Sequence, residues 1–245
     1  MRRKRGRVRY YQDGQHVKQR TPAGILFWLL YLNWFGRFFR FFLVRGMANR
    51  MMRWWYTSRI SRWHIRPFIK RHNIDTREFA DPVSHFANFN DFFIRRLKKD
   101  ARPITKTAHG IVSPADGTAF LIPHLQSTNT FYIKDHPFDL ATFVGSKTLA
   151  AEYEQGALAI IRLAPHDYHR FHMPVAGYVT DHGTLGARYE SVNPRAYRYA
   201  MPLLENHRHV FQLHTAAQHH LLVVAVGALC VGSIVTTYNR GRNYL

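Results

Sequence analysis

The stretch "LAPHDYHRFHMP", residues 163–174, places His166, His169 and His172 at every third position, with Tyr168 and Phe171 among them and Pro165 and Pro174 near its ends. Imidazoles titrate near neutrality, so such a run can ligate a metal, move protons or satisfy buried backbone groups. On a helix, residues three apart drift around the axis, and three of them would not converge on one ion. On a strand, His169 and His172 would face opposite sides. A turn or bulge would be needed to bring both into one pocket. Asp167 is the only local carboxylate. That counts against a metal shell and leaves acid/base chemistry and structural histidines open.

The elements around the run are short. "HNIDTREFADPVSHFANFNDFFIRRLKKDARPI" reads as short helices with polar connections. Asn88 or Asn90 can cap a helix through "DFFIRRLKK", with Asp91 at its positive end, the basic cluster at its negative end, and Pro103 as its stop. From about Ile111 the pattern changes to apolar segments separated by turn residues: "GTAFLIP", "TFYIKD", "ALAIIRLAP", "VAGYVTDHG", "HVFQLHT" and "LLVVAVGALCVGSIVTTY". Their Val, Ile and aromatic content predicts strands, many pairing antiparallel. The expected class is α+β: basic amphipathic N-terminal helices, then a mainly antiparallel β barrel-like or sandwich catalytic domain. The expected divisions are 1–71, a basic aromatic membrane-associating helical region; 72–110, a helical connector; and 111–245, the β-rich domain.

Charge is distributed unevenly. The net +20 is concentrated before residue 72, where 18 Lys and Arg face one acid, Asp13; the remainder carries only +3. Such asymmetry points to a polyanionic partner. The accompanying residues separate nucleic acid from membrane. "GILFWLLYLNWFGRFFRFFLV" is dominated by Phe, Leu, Trp and Tyr, interrupted by Arg37 and Arg40. Two arginines burden a spanning helix, whereas basic residues interleaved with aromatics suit helices lying in the membrane interface. Nucleic acid is not expected, because so many large apolar side chains would be left exposed. Cys230 is the only cysteine, which excludes an intrachain disulfide and a thiolate metal cage; its apolar setting predicts a buried, inert thiol.

The histidine run also carries a resemblance. "LAPHDYHRFHMPVAG" is similar to the histidine-containing segment of the phosphatidylserine decarboxylase proenzyme family. "FNDFFIRRLKKDARPI", "IVSPADGTA", "YIKDHPFDLATFVG", "ARYESVNPRAY" and "VAVGALCVGSI" resemble further blocks of that family, in the same order. The resemblance implies self-cleavage by attack of a serine hydroxyl on the preceding peptide bond, leaving a pyruvoyl group as the bound cofactor. It implies Asp116 as the carboxylate and His172 as the base of that step, and His169 as the histidine of decarboxylation. No metal ligands are implied. Decarboxylation of phosphatidylserine to phosphatidylethanolamine would proceed through a Schiff base between the pyruvoyl carbonyl and the headgroup amine. The implied partners are an anionic phospholipid membrane, the small pyruvoyl-bearing chain of the same proenzyme, and a second copy in a homodimer. The cytoplasmic face of a bacterial inner membrane is the expected location, with a mitochondrial inner membrane as the alternative.

Two departures qualify these expectations. The family's Gly-Ser-Thr cleavage motif has no counterpart in "SIVTTYNRGRNYL". The pyruvoyl-forming serine is therefore expected outside this sequence, and the competing reading is a catalytically inactive, family-derived membrane-binding protein. Ser233 of "VGSI" falls in a different block and is expected to be a buried serine. In "ENHRHV", Asn206 and Arg208 match the family while His207 replaces an acid, which puts any local ion pair in doubt.

Overall fold

The computed structural model describes residues 9–12, 15–18, 31, 33–104, 110–125, 130–133, 136–192, 202–215 and 219–237. Residues 25–30 and 32 of the apolar run before Val44, part of the "ARYESVNPRAY" block and the final residues of the chain lie outside them. The class is α+β. Helices dominate up to residue 93, and antiparallel strand pairs follow.

Strands β1 (Arg9–Gln12) and β2 (Gln15–Lys18) pair antiparallel within the basic leader, which its charge alone does not signal. Helices α1 (Trp34–Leu43) and α2 (Gly46–Thr57) come next, then a 3-10 turn at Arg59–His64 and α3 (Ile65–His72). Helix α3 stops at Asn73, whose φ of 49° is left-handed, a helix ending that Asn tolerates. Ser61, fully buried in the 3-10 turn, donates to the carbonyls of Tyr56 and Ser58 and accepts from the amide of Phe89. That amide opens α4 (Phe89–Phe93), so one hydroxyl ties the basic helices to the element leading into the site.

Helix α4 begins as expected, with Asn88 accepting from the Asp91 amide. It ends far short of Pro103. Residues beyond Ile94 instead exchange backbone hydrogen bonds with 78–80: Ala80 N donates to Arg96 O, and Lys98 N to Glu78 O. This non-local pairing satisfies amides that a longer helix would have used internally. Phe89 and Phe92 pack with Ile65, Phe79 and Phe86 in one of two apolar clusters.

The other cluster lies in the strand region. β3 (Thr118–Ile122) pairs with β6 (Leu158–Arg162), and β4 (Thr130–Ile133) with β5 (His136–Asp139). Short helices α5 (Leu140–Val144) and α6 (Lys147–Ala151) are capped by Asp139 and Ser146. β7 (Tyr178–Leu185), β8 (Arg208–His214) and β9 (His220–Val226) form a three-stranded antiparallel sheet, with α7 (Pro202–Glu205) before β8. Leu125, Phe138, Leu140, Val144, Leu149, Ala150 and Val210 form this second core. The described strands form no closed barrel. The long run expected as a last strand ends at Val226. Gly227 N then donates to His207 O, and a tight turn closes between Ala228 and Val231. Beyond it Ser233 is exposed, not buried. Cys230 is only half-buried, although burial still raises its thiol pKa.

Candidate active site

Two loops without regular structure run side by side. Val112 N donates to Pro174 O at 3.0 Å, and His172 N donates to Pro114 O at 2.7 Å. These backbone bonds lay the "SPADG" turn against the "HRFHMP" segment. The turn needs Gly117: its φ of +134° disfavours any side chain, and a Cβ there would sit 2.5 Å from the carbonyl oxygen of Arg162.

Asp116, two residues along from Pro114, is held by Arg102. Arg102 Nε lies 3.0 Å from each carboxylate oxygen, and Nη2 donates to Oδ2 at 2.7 Å. The same guanidinium reaches Glu78 at 3.2 Å. Its hydrogen bonds to Asp116, and secondarily to Glu78, raise its already high pKa further. His172 is exposed and its ring stacks on Tyr168 at 5.8 Å. Asp116 and His172 are thus on adjoining backbones but not hydrogen-bonded to each other. The carboxylate oxygens keep lone pairs beyond those facing Arg102.

His169 is in a different environment. Its ring lies against Phe93 at 4.0 Å, and Nδ1 is 2.9 Å from the carbonyl oxygen of Asp167. Burial holds its pKa below the usual histidine value; Arg95 and His166 push the same way, and Asp167 opposes them. The Asp167 carboxylate accepts from Ala164 N at 2.5 Å and lies 3.4 Å from His166 Nε2, while the His166 ring stacks on His72.

A cavity of about 170 Å³ opens beside these groups, and Asp116, Arg95, Arg102, Glu78, His166 and Asp167 are among its lining. His169 and His172 are not. Arg95, Arg102, Glu78 and His72 did not stand out in the sequence. The arginines are two of 35 basic residues, and only the fold places them beside Asp116. Among the described residues no three His, Cys, Asp or Glu side chains gather as a metal site. In "ENHRHV", Arg208 is buried and donates to the carbonyls of Phe143, Leu204, Asn206 and Thr142, so backbone oxygens satisfy it where an acid is missing.

Comparison with known proteins places the chain among similar sequences. The family profile described as phosphatidylserine decarboxylase matches residues 89–244. A phosphatidylserine decarboxylase proenzyme of Chlamydia trachomatis is 39% identical over 197 residues, covering 80% of this chain and 65% of that protein. One from Fusobacterium nucleatum is 36% identical over 214 residues, 85% of this chain and 70% of the relative. One from Chlamydia felis is 34% identical over 218 residues, 88% and 73% respectively. The chain therefore spans 65% of the length of the Chlamydia trachomatis relative. With the profile covering both site loops and such identity over most of the chain, this protein belongs to the phosphatidylserine decarboxylase family.

Proposed function

We propose that this chain forms the larger part of a self-processing decarboxylase converting phosphatidylserine to phosphatidylethanolamine. The observation that carries the reading is the backbone pairing of residues 112–114 with 172–174, which seats a carboxylate and an exposed imidazole on adjoining loops. In self-cleavage, His172 takes the proton from a serine hydroxyl of the same proenzyme as that oxygen attacks the preceding carbonyl. It then returns the proton to the departing amide nitrogen. Asp116 orients the imidazole during that step, while Arg102 holds the carboxylate in place through its hydrogen bonds.

A pyruvoyl group, once formed, supplies the electron sink that receives the electrons of the breaking C–CO₂ bond. The donor set suits such a group. With Nδ1 donating to a carbonyl and its pKa lowered, the neutral His169 presents Nε2 as a lone pair. His169 takes up a solvent proton at Nε2 and passes it to the headgroup carbon after CO₂ leaves.

The lipid substrate requires a membrane partner, and the N-terminal helices have suitable chemistry. Trp34 (71% exposed), Trp54 (71%) and Trp63 (84%) stand out with Phe35, Phe38, Met51 and Ile60 among exposed Arg50, Arg53, Arg59 and Arg62. Aromatics interleaved with cations suit the interface of an anionic leaflet. No described helix is long and apolar enough to cross a membrane. The cytoplasmic face of a bacterial inner membrane, the small pyruvoyl-bearing chain and a homodimer belong to this proposal.

The test is release of CO₂ from carboxyl-labelled phosphatidylserine in anionic vesicles by the native protein. His169→Gln should leave chain processing intact and abolish CO₂ release, and Asp116→Asn and His172→Gln should block processing itself. Vesicle binding without CO₂ release by the unaltered protein would favour the inactive membrane-binding reading instead.

A further inference from the structure

We propose that Arg95 is a positioning residue for His169: by gripping the backbone of residues 166–167 it fixes which imidazole nitrogen carries the proton and where the other one points. The inference rests on the reading of His169 as the decarboxylation histidine, yet its contacts lie wholly within this chain.

Arg95 follows α4 by two residues and is only 4% exposed. Burying a guanidinium that no carboxylate contacts directly is costly, and its burial pulls the Arg95 pKa down. Two things hold it there. Its guanidinium carbon lies 5.0 Å from the ring centre of Phe79 and 5.2 Å from that of Phe92. Its Nη2 donates to the carbonyl oxygens of His166 at 3.0 Å and Asp167 at 3.4 Å. Nε and Nη1 are buried with no hydrogen-bond partner among the described residues, so the polar hold rests on those two carbonyls.

The Asp167 carbonyl is the oxygen that faces His169 Nδ1. A carbonyl only accepts, so Nδ1 must carry the hydrogen and the neutral ring presents Nε2 as a lone pair. Free histidine has no such constraint. By holding that carbonyl, Arg95 holds the tautomer. Two further contacts join the same segments: Arg170 Nε donates to Ile94 O at 2.8 Å, and the His169 ring lies on Phe93. Residues 93–95 thereby grip 166–170 at three points, and Arg95 is the one that touches the carbonyl in question. Asp116 and Glu78 act on Arg95 only at longer range, since their hydrogen bonds go to Arg102. The charged or titratable groups acting on His169 are Asp167 and His166 from its own loop and Arg95 from the end of α4. Lysine would keep the charge but lose the planar guanidinium that lies by the Phe79 and Phe92 rings and so aims Nη2 at both carbonyls.

The experiment is nitrogen-15 NMR of the imidazoles in the native protein and in Arg95→Gln and Arg95→Lys, with the His169 signals assigned by their loss in His169→Gln. The unaltered protein should show His169 protonated at Nδ1 and bare at Nε2, titrating below about pH 6.5. Arg95→Gln should lose the Nδ1–H preference and raise the midpoint. Arg95→Lys should loosen the tautomer while keeping the midpoint low. In the decarboxylation assay, kcat should fall on the order of tenfold or more in both variants with KM nearly unchanged. An Nε2–H tautomer in the unaltered protein, or an unchanged tautomer and midpoint in a folded Arg95→Gln protein, would overturn the proposal. Should Arg95→Gln not fold, Arg95→Lys and the unaltered protein decide it. Because the NMR readout needs no turnover, a protein without decarboxylase activity refutes the functional reading and leaves this one standing or falling separately.

Discussion

Asn206 offers the sharpest test of what joins the N-terminal helices to the β region. It is fully buried; its Nδ2 donates to the carbonyls of Glu190 at 2.9 Å and Gly227 at 2.7 Å, and its Oδ1 accepts from the Glu190 amide at 2.7 Å. Glu190, also fully buried, accepts from the Tyr31 hydroxyl at 2.6 Å and lies 3.6 Å from Arg40 of α1. Asn206→Leu keeps the volume and removes all three hydrogen bonds, stranding one amide and two carbonyls. Each stranded buried group costs about 1–3 kcal/mol, and the loop can relax for part of it, so about 3 kcal/mol is expected. That is a large share of the 5–15 kcal/mol or so that typically stabilises a protein. At roughly 2–4 °C per kcal/mol for a chain of this size, the midpoint should fall by about 6–12 °C. Circular dichroism during heating in detergent at neutral pH reads this directly. Limited proteolysis should also find the chain between Tyr31 and Val44 cut sooner. A midpoint within about 2 °C of the parent would show that Asn206 does not organise this junction.

Gly117→Ala should destabilise the protein by about 2 kcal/mol or more, because the substitution forces a side chain into a positive-φ position against the Arg162 carbonyl. If it folds, it should process more slowly through displacement of Asp116, and unaltered stability would contradict the turn geometry. His169, His72 and His207 are each held by burial below the ordinary histidine pKa. The unfolded chain thus binds more protons than the folded one below about pH 6.5, and stability should be flat above that pH and fall on acidification toward the folded values. Thermal midpoints at several pH values check this, and a rise in midpoint on acidification through this window would refute the assigned direction. Trp54→Ala with Trp63→Ala should weaken binding to anionic vesicles on the order of a hundredfold, at roughly 1.5 kcal/mol for each buried ring. Unchanged sedimentation with vesicles would remove these residues from the membrane face.

Local patterns made much of this fold legible. The short apolar runs became β3, β4 and β6–β9, and Asn88 capped α4, because these features depend on residues close in sequence. Where non-local pairing decided the outcome, local reading failed. Helix α4 ends at Phe93 because residues 96–98 bond to 78–80, a competition that helix propensity cannot express. Ser233 is exposed because the chain turns after Gly227, although its neighbours are apolar. Spacing placed Asp116, His169 and His172 in no shared structure; the family resemblance named them. The fold lays their loops together by two backbone bonds and leaves Asp116 hydrogen-bonded to Arg102. Arg95 and Arg102 acquire significance only from the carbonyls and carboxylates opposite them.

A decarboxylase that makes its own carbonyl cofactor is tested most directly by intact mass. The protein would be isolated from its native membranes, denatured, and weighed with and without a carbonyl-reactive hydrazine. Two polypeptides are expected, the smaller gaining the mass of the hydrazone. A single polypeptide of unchanged mass would contradict it.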